Sequence, residues 1–209
     1  MNKREWWTIG LLAVAYGLLS GSFFIVQLLR DPVWIVHVGL DDVIPFNEWF
    51  VIPYVIWYGY LAATAVYLLW ADRPALIRME KMMVLGMCAC TVFFLVVPNG
   101  IDFRPEHFER ENVLTGVVNW LYAHDQPENV FPSLHVYQAL CAHAALWRSP
   151  VVRRHRWIGW ASLVLAVLIC LSTMFIKQHS ICDVIGGLVL AMVTYFLVYM
   201  YPKKRSKTQ

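Results

Sequence analysis

The chain has 209 residues, of which 59% are hydrophobic and 15% are charged, and its formal net charge is +3 at pH 7. Soluble globular domains carry roughly 25% charged residues, so this composition excludes a soluble globular domain and is typical of a polytopic membrane protein. We predict a single all-α membrane domain over residues 1–209, embedded in the lipid bilayer and without a nucleic-acid partner.

Six apolar runs predict six transmembrane helices. A helix that crosses a bilayer needs roughly 20 mostly apolar residues, within a range of about 17 to 25. Four runs reach this range, the third is marginal with 16 residues, and the fourth is short with 14. We count the fourth as spanning because the loop charges make sense only if the chain crosses there. The runs are Trp6–Leu29, Phe50–Trp70, Met82–Val97, Leu134–Trp147, Trp157–Ile176 and Val184–Tyr201.

Lysine and arginine residues are distributed unequally between the predicted loops. If the N-terminus is cytoplasmic, 13 of the 17 basic residues lie on the cytoplasmic side, including those of the tail Pro202–Gln209. This agrees with the positive-inside rule. The sequence therefore predicts both termini in the cytoplasm, and its basic inner loops and small size favour a bacterial inner membrane. The outer side keeps four basic residues, namely Arg30, Arg104, Arg110 and Lys177.

A histidine and a carboxylate lie at the start of the last apolar run. His179 and Asp183 are four residues apart, so on a helix they share one face. Ionisable groups at the mouth of a membrane helix are costly and usually functional. The carboxylate can fix the tautomer of the imidazole, which leaves the opposite ring nitrogen as a nucleophile or base. The alternative is a buried pair that only locks two helices together.

A second polar motif, Pro132-Ser133-Leu134-His135, opens the fourth run. Proline and serine before an apolar run are helix-start signals, and the N-terminus of a helix suits an anion such as phosphate. His135 would point from the first turn towards that anion. The alternative is an ordinary capped helix with a hydrogen-bonded histidine. Two such motifs at the same predicted side suggest one shared extracytoplasmic site.

Two long outer segments could shape this site. In Pro98–Ser133, apolar residues recur at helical spacing between polar ones, which predicts an amphipathic helix on the outer membrane surface; it could be a lid or a packing element. Asp31–Trp49 could cover the helix bundle or shape an acceptor pocket. The apolar residues of the predicted surface helix are Val113, Leu114, Val117, Val118 and Leu121.

In their order along the chain, these motifs resemble those of the type-2 phosphatidic acid phosphatase superfamily, which contains integral membrane lipid phosphatases and phosphotransferases. That family has the motifs Lys-x6-Arg-Pro, Pro-Ser-x-His and Ser-Arg-x5-His-x3-Asp. The second is intact here, and the third runs from Ser172 to Asp183. The first keeps Arg104-Pro105. The resemblance covers about residues 50–200.

Two cations of the family pattern are replaced. Thr173 stands where the third motif has arginine, and Val97 stands where the first has lysine. The altered set is similar to the branch that contains inositol phosphorylceramide synthases and sphingomyelin synthases, whose third motif also lacks the arginine. The segment 42–46, followed by Pro53-Tyr54, is similar to the first motif of the inositol phosphorylceramide synthases. The acceptor could therefore be water or a lipid alcohol.

The resemblance implies a metal-independent lipid phosphatase without a cofactor, acting on a phosphatidic acid-like lipid or an isoprenoid phosphate. In that scheme His179 is the nucleophile, Asp183 orients it, and His135 is the general acid and base. Arginine offers phosphate a bidentate fork and lysine a point charge. A phosphotransferase that moves a phospho-headgroup to a lipid alcohol is the alternative. The predicted phosphate-binding residues are Arg104, Ser133 and Lys177.

Other functions fit the sequence less well. His135, His143 and His179 could hold a haem, but the first two are eight residues apart, about 80° around a helix. A zinc site from His135, His179 and Asp183 lacks further ligands. Ser133 is better explained as a helix cap than as the nucleophile of an intramembrane protease. The sequence predicts no oligomeric state.

Overall fold

The apolar runs of the sequence form long helices. The structure, a computed structural model that describes residues 3–201, is 76% helical. A 3-10 turn at Glu48–Phe50 leads into the third helix, and a π-helical turn at Phe196–Met200 extends the last. The helices are α1 (Lys3–Leu29), α2 (Gly39–Val43), α3 (Val51–Ala71), α4 (Arg73–Val96), α5 (Val113–His124), α6 (Leu134–Arg148), α7 (Pro150–Arg153), α8 (Arg156–Phe175) and α9 (Ile181–Tyr195).

Five helical segments within residues 3–201 are long and apolar enough to cross a membrane, which indicates a membrane protein. Five of the six predicted runs are thereby confirmed as helices of sufficient length and hydropathy to span a membrane. The remaining predicted span is α6, whose 15 residues extend over about 22 Å at 1.5 Å per residue, less than a hydrocarbon core of about 30 Å. Six spans and two cytoplasmic termini remain predictions, and the basic tail lies outside the described residues. The five segments are Lys3–Leu29, Glu48–Ala71, Arg73–Val96, Arg156–Phe175 and Ile181–Met200.

The short helix α6 lies at the centre of the bundle. It contacts α3, α4, α8 and α9, and more than half of its residues are buried. Small side chains let neighbouring helices approach it closely. By contrast, α1 buries only Ile9 and Val26 and packs mainly on α4. Because protein surrounds α6, its neighbours determine its packing more than lipid does. Its buried small side chains are Ala139, Cys141, Ala142 and Ala145.

The first turns of α6 and α9 touch. A Cβ atom on Gly187 would lie 2.7 Å from the carbonyl oxygen of Ser133, so only glycine permits this approach without a shift of the backbone. The backbone N–H of Ser133 also donates to the carbonyl oxygen of Asp183 at 3.0 Å. These contacts bring the Pro-Ser-x-His motif next to the His-x3-Asp motif.

The two outer segments pack together over the same end of the bundle. Their strands β1 (Trp34–Ile35) and β2 (Asn99–Gly100) pair in parallel, with Trp34 opposite Asn99. The predicted amphipathic helix is confirmed as α5, which begins after the Asn112 cap. Two of its buried residues, Val118 and Leu121, belong to the same apolar cluster as Val51 and Tyr54 of α3. Thus α5 is a packing element in this structure, and a lid function is not tested.

Candidate active site

The two predicted histidines meet at the junction of α6 and α9. His135 is the second residue of α6, and His179 lies two residues before α9 begins. Nδ1 of His135 is 3.4 Å from Nε2 of His179, and the two ring centroids are 5.5 Å apart. The distance permits a long hydrogen bond between the rings, which lie close enough to act on one small group.

Asp183 holds the other nitrogen of His179. Its Oδ2 lies 3.2 Å from Nδ1 of His179 and accepts the backbone N–H of Ser180 at 2.9 Å. Asp183 is fully buried. An ionised carboxylate can accept hydrogen bonds but cannot donate them, so the hydrogen-bond network assigns the proton to Nδ1 of His179. The lone pair of Nε2 then faces His135.

The turn between α8 and α9 fixes the backbone of His179. The carbonyl oxygen of Thr173 accepts the N–H groups of both Gln178 and His179, at 2.9 and 3.0 Å. Lys177 adopts a left-handed conformation with φ of 54°, as is common for the residue that ends a helix. The His179 end of the His-x3-Asp motif is thereby held by backbone hydrogen bonds.

Two aromatic side chains of α3 pack on His135. The ring of Tyr54 lies 4.5 Å and that of Trp57 4.4 Å from the imidazole, measured between centroids. The Tyr54 hydroxyl donates to Oδ2 of Asp125 at 2.6 Å. Trp57 belongs to none of the motifs, and Tyr54 lies only beside the segment similar to the first motif of the inositol phosphorylceramide synthases. Their spacing of three, which places them on one helix face, was the available signal.

A cavity of about 240 Å³ opens at the two histidines. Its polar end also contains Gln178 and Asp125, and Leu134 contributes to its wall. Its other end lies between α1 and α3 and is mostly aromatic. The cavity therefore joins an ionisable pair to an aromatic cleft. Residues of that cleft are Tyr16, Ser20, Phe23, Phe24, Trp57 and Tyr58.

The first turn of α6 leaves backbone donors beside this cavity. Ser133 is fully buried, and its hydroxyl oxygen accepts the N–H of Val136 at 3.4 Å. Within residues 3–201, the N–H groups of Leu134 and His135 have no hydrogen-bond partner. Such donors are suited to an anion. Ser133 therefore acts as the cap that the sequence predicted.

Arg104 lies behind the cavity wall. Its Nη2 donates to the carbonyl oxygen of Asp125 at 2.7 Å and to the side-chain oxygen of Gln178, and the guanidinium stacks over Tyr122. Burial lowers the pKa of Arg104 from its ordinary value, while the Asp125 carboxylate acts in the opposite direction; an arginine nonetheless stays charged. Arg104 thus supports two residues of the wall, and direct phosphate binding by Arg104 remains a prediction.

Lys177 is directed away from the cavity. Its Nζ donates to the carbonyl oxygens of Asp41 and Ile44, each at 2.5 Å. Burial lowers the pKa of Lys177, whereas the carboxylates of Asp41 and Asp42 raise it. The structure therefore brings Lys177 to the first outer segment and not to the two histidines, and its phosphate-binding role is likewise a prediction.

The remaining candidates are also placed. The hydroxyl of Thr173, at the position of the missing arginine, donates to the carbonyl oxygen of Cys170 at 2.8 Å. Val97, at the position of the missing lysine, ends α4. Nδ1 of His143 lies 3.1 Å from the hydroxyl of Ser162, so His143 contacts α8. In the described part of the chain, no three His, Cys, Asp or Glu side chains are arranged to hold a metal ion.

One of the comparisons with known proteins identifies a family. The sequence model of the PAP2 superfamily matches residues 82–207, a range that includes His135, His179 and Asp183. No curated protein and no solved structure matches the chain. The match confirms the resemblance carried by the motifs but does not separate the branches of the superfamily. Since it covers more than half of the chain, this protein belongs to the PAP2 superfamily, whose members are phosphoester hydrolases or transferases acting on lipid-like phosphate esters.

Proposed function

We propose that this protein is a membrane lipid phosphatase that hydrolyses a lipid phosphate ester through a phosphohistidine intermediate. The observation that carries the proposal is the arrangement of three side chains. Nε2 of His179 lies 3.4 Å from His135, while Asp183 holds the opposite ring nitrogen. This is the geometry of an activated nucleophile beside a general acid.

In the first step, the lone pair of Nε2 on His179 attacks phosphorus. A phosphorus–nitrogen bond forms as the bond to the lipid oxygen breaks, and the departing oxygen takes a proton from His135. The products are a lipid alcohol, phosphohistidine and neutral His135. The substrate must separate the two rings, because reacting atoms approach within about 3 to 3.5 Å in a productive complex.

In the second step, water replaces the lipid alcohol. His135 takes a proton from the water, the water oxygen attacks phosphorus, and the phosphorus–nitrogen bond returns its electron pair to His179. Inorganic phosphate leaves, and His135 is protonated again. Asp183 stabilises His179 in both steps because its carboxylate accepts from Nδ1 throughout.

The first turn of α6 is proposed to hold the phosphate. The N–H groups of Leu134 and His135 have no partner among residues 3–201, and both residues line the cavity. Preorganised donors of this kind stabilise the charge that develops in the transition state. Neither step needs a metal ion, so turnover is expected to survive a chelator.

The aromatic cleft between α1 and α3 supports a lipid as the substrate. Its side chains are mostly aromatic and lie on helices that are long and apolar enough to cross a membrane. A phosphatidic acid-like lipid or an isoprenoid phosphate could place its chain there with its phosphate at the histidines. The positive-inside rule puts this end of the bundle on the extracytoplasmic side, in the inner membrane if the source is bacterial.

A phosphotransferase is the second candidate, and the charge of the site favours it. Thr173 and Val97 replace the two cations of the family pattern, and Lys177 and Arg104 donate to oxygen atoms of the protein. A phosphodiester carries one negative charge and a phosphate monoester up to two. With few free cations, the site would suit a diester headgroup that is passed to a lipid alcohol, as in the inositol phosphorylceramide synthase branch.

One assay separates the two candidates. Purified protein in detergent is given phosphatidic acid, an isoprenoid phosphate and a phosphodiester lipid, each with and without a long-chain alcohol and a chelator. Release of inorganic phosphate without alcohol supports the phosphatase. A new phospholipid that forms only with the alcohol supports the transferase. Turnover that persists in a variant with both histidines replaced would refute both.

A further inference from the structure

A buried carboxylate from outside the matched range lies at the start of α9. Asp41 belongs to α2, in the first outer segment, and is 2% exposed. Its Oδ2 accepts the hydroxyl of Ser180 at 2.7 Å and the N–H of Val38 at 3.0 Å. Its Oδ1 accepts the N–H of Ile181 at 2.9 Å. Two of these three bonds cross to the turn that carries His179.

These bonds lead to the proposed nucleophile through one residue. Ser180 stands directly after His179 and caps α9. Its hydroxyl donates to Asp41, and its backbone N–H donates to the same oxygen of Asp183 that contacts His179. A displacement of Ser180 would therefore change both the backbone and the carboxylate partner of His179.

The chemistry of this contact requires a carboxylate. A buried charge is costly unless donors surround it, and Asp41 faces three of them together with the positive end of α9. Lys177 also binds α2, because its Nζ donates to the carbonyl oxygens of Asp41 and Ile44. The contact thus joins α2 to both sides of His179 along the chain.

We propose that Asp41 is a positioning residue for His179, an inference that rests on the proposed function of that histidine. Asp41 fixes Ser180, Ser180 and Asp183 share a hydrogen bond, and Asp183 holds the tautomer of the nucleophile. Asp41 itself has no hydrogen bond to His135 or His179 and is not a catalytic residue. The first outer segment is therefore part of the site, although it precedes the range that matches the family.

The test compares Asp41→Asn with Asp42→Asn. Both variants remove one charge from α2, but the Asp42 side chain is 65% exposed and forms its ion pair with His37 and not with a residue of α9. In Asp41→Asn, the asparagine keeps the shape of the side chain and loses the charge and one acceptor oxygen. The first measurement is the NMR spectrum of histidine labelled with nitrogen-15 in detergent micelles, with the His179 ring signals assigned by their loss in His179→Gln.

We expect Asp41→Asn to shift the Nδ1 and Nε2 signals of His179 and Asp42→Asn to leave them in place. The second measurement is turnover of p-nitrophenyl phosphate. In Asp41→Asn, kcat should fall about 10-fold or more with KM changed less than about twofold, because a displacement of about 1 Å can cost about 100-fold. Unchanged His179 signals in a folded Asp41→Asn variant would overturn the proposal, whether or not p-nitrophenyl phosphate is a substrate.

A double-mutant cycle tests the route through Ser180. Ser180→Ala removes the hydroxyl that Asp41 accepts and leaves the carboxylate in place, so it also serves if Asp41→Asn fails to fold. It should shift the same His179 signals by a smaller amount. If Asp41 acts through Ser180, the double variant should lose little more than Asp41→Asn alone. Multiplied losses, or His179 signals that Ser180→Ala leaves unchanged, would contradict this route.

The two hypotheses fail in different ways. If the wild type shows no turnover that depends on His179, the proposed function fails, while the NMR comparison still decides whether Asp41 positions that ring. If the wild type turns over and both Asp41→Asn and Asp42→Asn keep its kcat and its His179 signals, only the role of Asp41 fails.

Discussion

The helices α6 and α9 both begin after a capping serine but use their first backbone N–H groups differently. Each helix is capped by a serine and each motif carries one of the two histidines. At α9, Asp41 accepts the N–H of Ile181 and Ser180 accepts that of Cys182. At α6, the N–H groups of Leu134 and His135 have no partner among the described residues.

The difference fits two separate roles, with α9 orienting the proposed nucleophile and α6 binding the phosphate. A nucleophile gains from a fixed orientation, and the start of α9 is satisfied by protein groups on every side. A phosphate needs free donors, and the start of α6 supplies them beside the cavity. Only one of the two helix starts therefore has room for an anion. Replacements at each start should have distinct consequences.

The largest contrast is expected between the two histidines. His179→Ala should abolish turnover, by about 10⁴-fold or more, and should give no phosphohistidine because no nucleophile remains. His135→Ala should lose about 10²- to 10⁴-fold, as is typical for a general acid. With p-nitrophenyl phosphate, whose leaving group needs little protonation, His135→Ala should still form phosphohistidine, measured with radiolabelled substrate after rapid quenching.

The matched control for both variants is His143→Ala. This histidine contacts Ser162 on α8 and does not line the cavity, so its loss should leave labelling intact. Covalent label on the His179→Ala variant would overturn the assignment of the nucleophile to α9.

Asp183→Asn should be the next most damaging change. Asparagine keeps the shape of the side chain but cannot stabilise an imidazolium, and its amide can donate to Nδ1 and reverse the tautomer of His179. A loss of about 10³- to 10⁴-fold in kcat is expected. The N–H of Ser180 donates to the same Oδ2 that contacts His179. An amide turned to donate to Nδ1 therefore also costs this bond, so the thermal midpoint should fall as well, although the variant should still fold. Turnover near that of the wild type would make Asp183 a purely structural residue.

Gly187→Ala tests whether contact between the two helix starts is necessary. The added Cβ would meet the carbonyl oxygen of Ser133 at 2.7 Å, which is backbone and cannot turn away. We expect the unfolding free energy to fall by about 1 to 3 kcal/mol, as for other overpacked sites. Separation of the histidines by about 1 Å should lower kcat about 100-fold.

The control for that variant is Gly17→Ala in α1, where a Cβ atom would meet nothing within 4 Å. It should be neutral or stabilising by up to about 1 kcal/mol, because alanine favours a helix more than glycine does. Both variants are measured by thermal unfolding in detergent and by turnover. Equal behaviour of the two would show that helix contact does not position the site.

Short-range patterns were sufficient to indicate both halves of the candidate site. The four-residue spacing of His179 and Asp183 and the Pro-Ser helix start each depend on neighbours within one turn. The long apolar runs predicted six spanning helices for the same reason, and five of the observed helical segments are long and apolar enough to cross a membrane. The amphipathic pattern likewise gave α5, although not the helices on which it packs.

The partners of those halves depend on contacts between distant parts of the chain. Ser180 and Asp41 are 139 positions apart in the sequence, and Lys177 is 133 from Ile44. Lys177 was expected at the phosphate because it lies two residues from His179. Its side chain instead donates to carbonyl oxygens at α2, and no local sequence pattern indicates this contact. The same limit applies to Tyr54 and Trp57, because their positions in an apolar helix did not predict that their rings pack on His135.

Ser133→Ala should have a modest effect, and that effect distinguishes the role of the α6 helix start from the role of the α9 helix start. The hydroxyl of Ser133 lies 3.4 Å from the N–H of Val136, a long bond, so the unfolding free energy should fall by about 0.5 to 1 kcal/mol, the low end for a lost cap. A frayed first turn would hold phosphate less firmly. KM should therefore rise by less than about 10-fold while phosphohistidine still forms. A collapse of kcat with unchanged KM would instead assign Ser133 to the chemical step.

The smallest expected effect concerns the pH-dependent ion pairs of His37, which join the two outer segments. Both ring nitrogens of exposed His37 contact carboxylates, Asp42 and Asp102, each at 2.8 Å. The hydrogen bond that His37 donates to Asp42 is the main cause that raises the pKa of His37. A pKa raised on folding adds stability that is complete below the unfolded value of about 6.5 and disappears as pH rises through the folded value. The thermal midpoint of His37→Gln should therefore lie slightly below that of the wild type at about pH 5.5, and the difference should vanish at about pH 9. A difference for His37→Gln that grows with pH would contradict the ion pairs of His37 with the two outer segments.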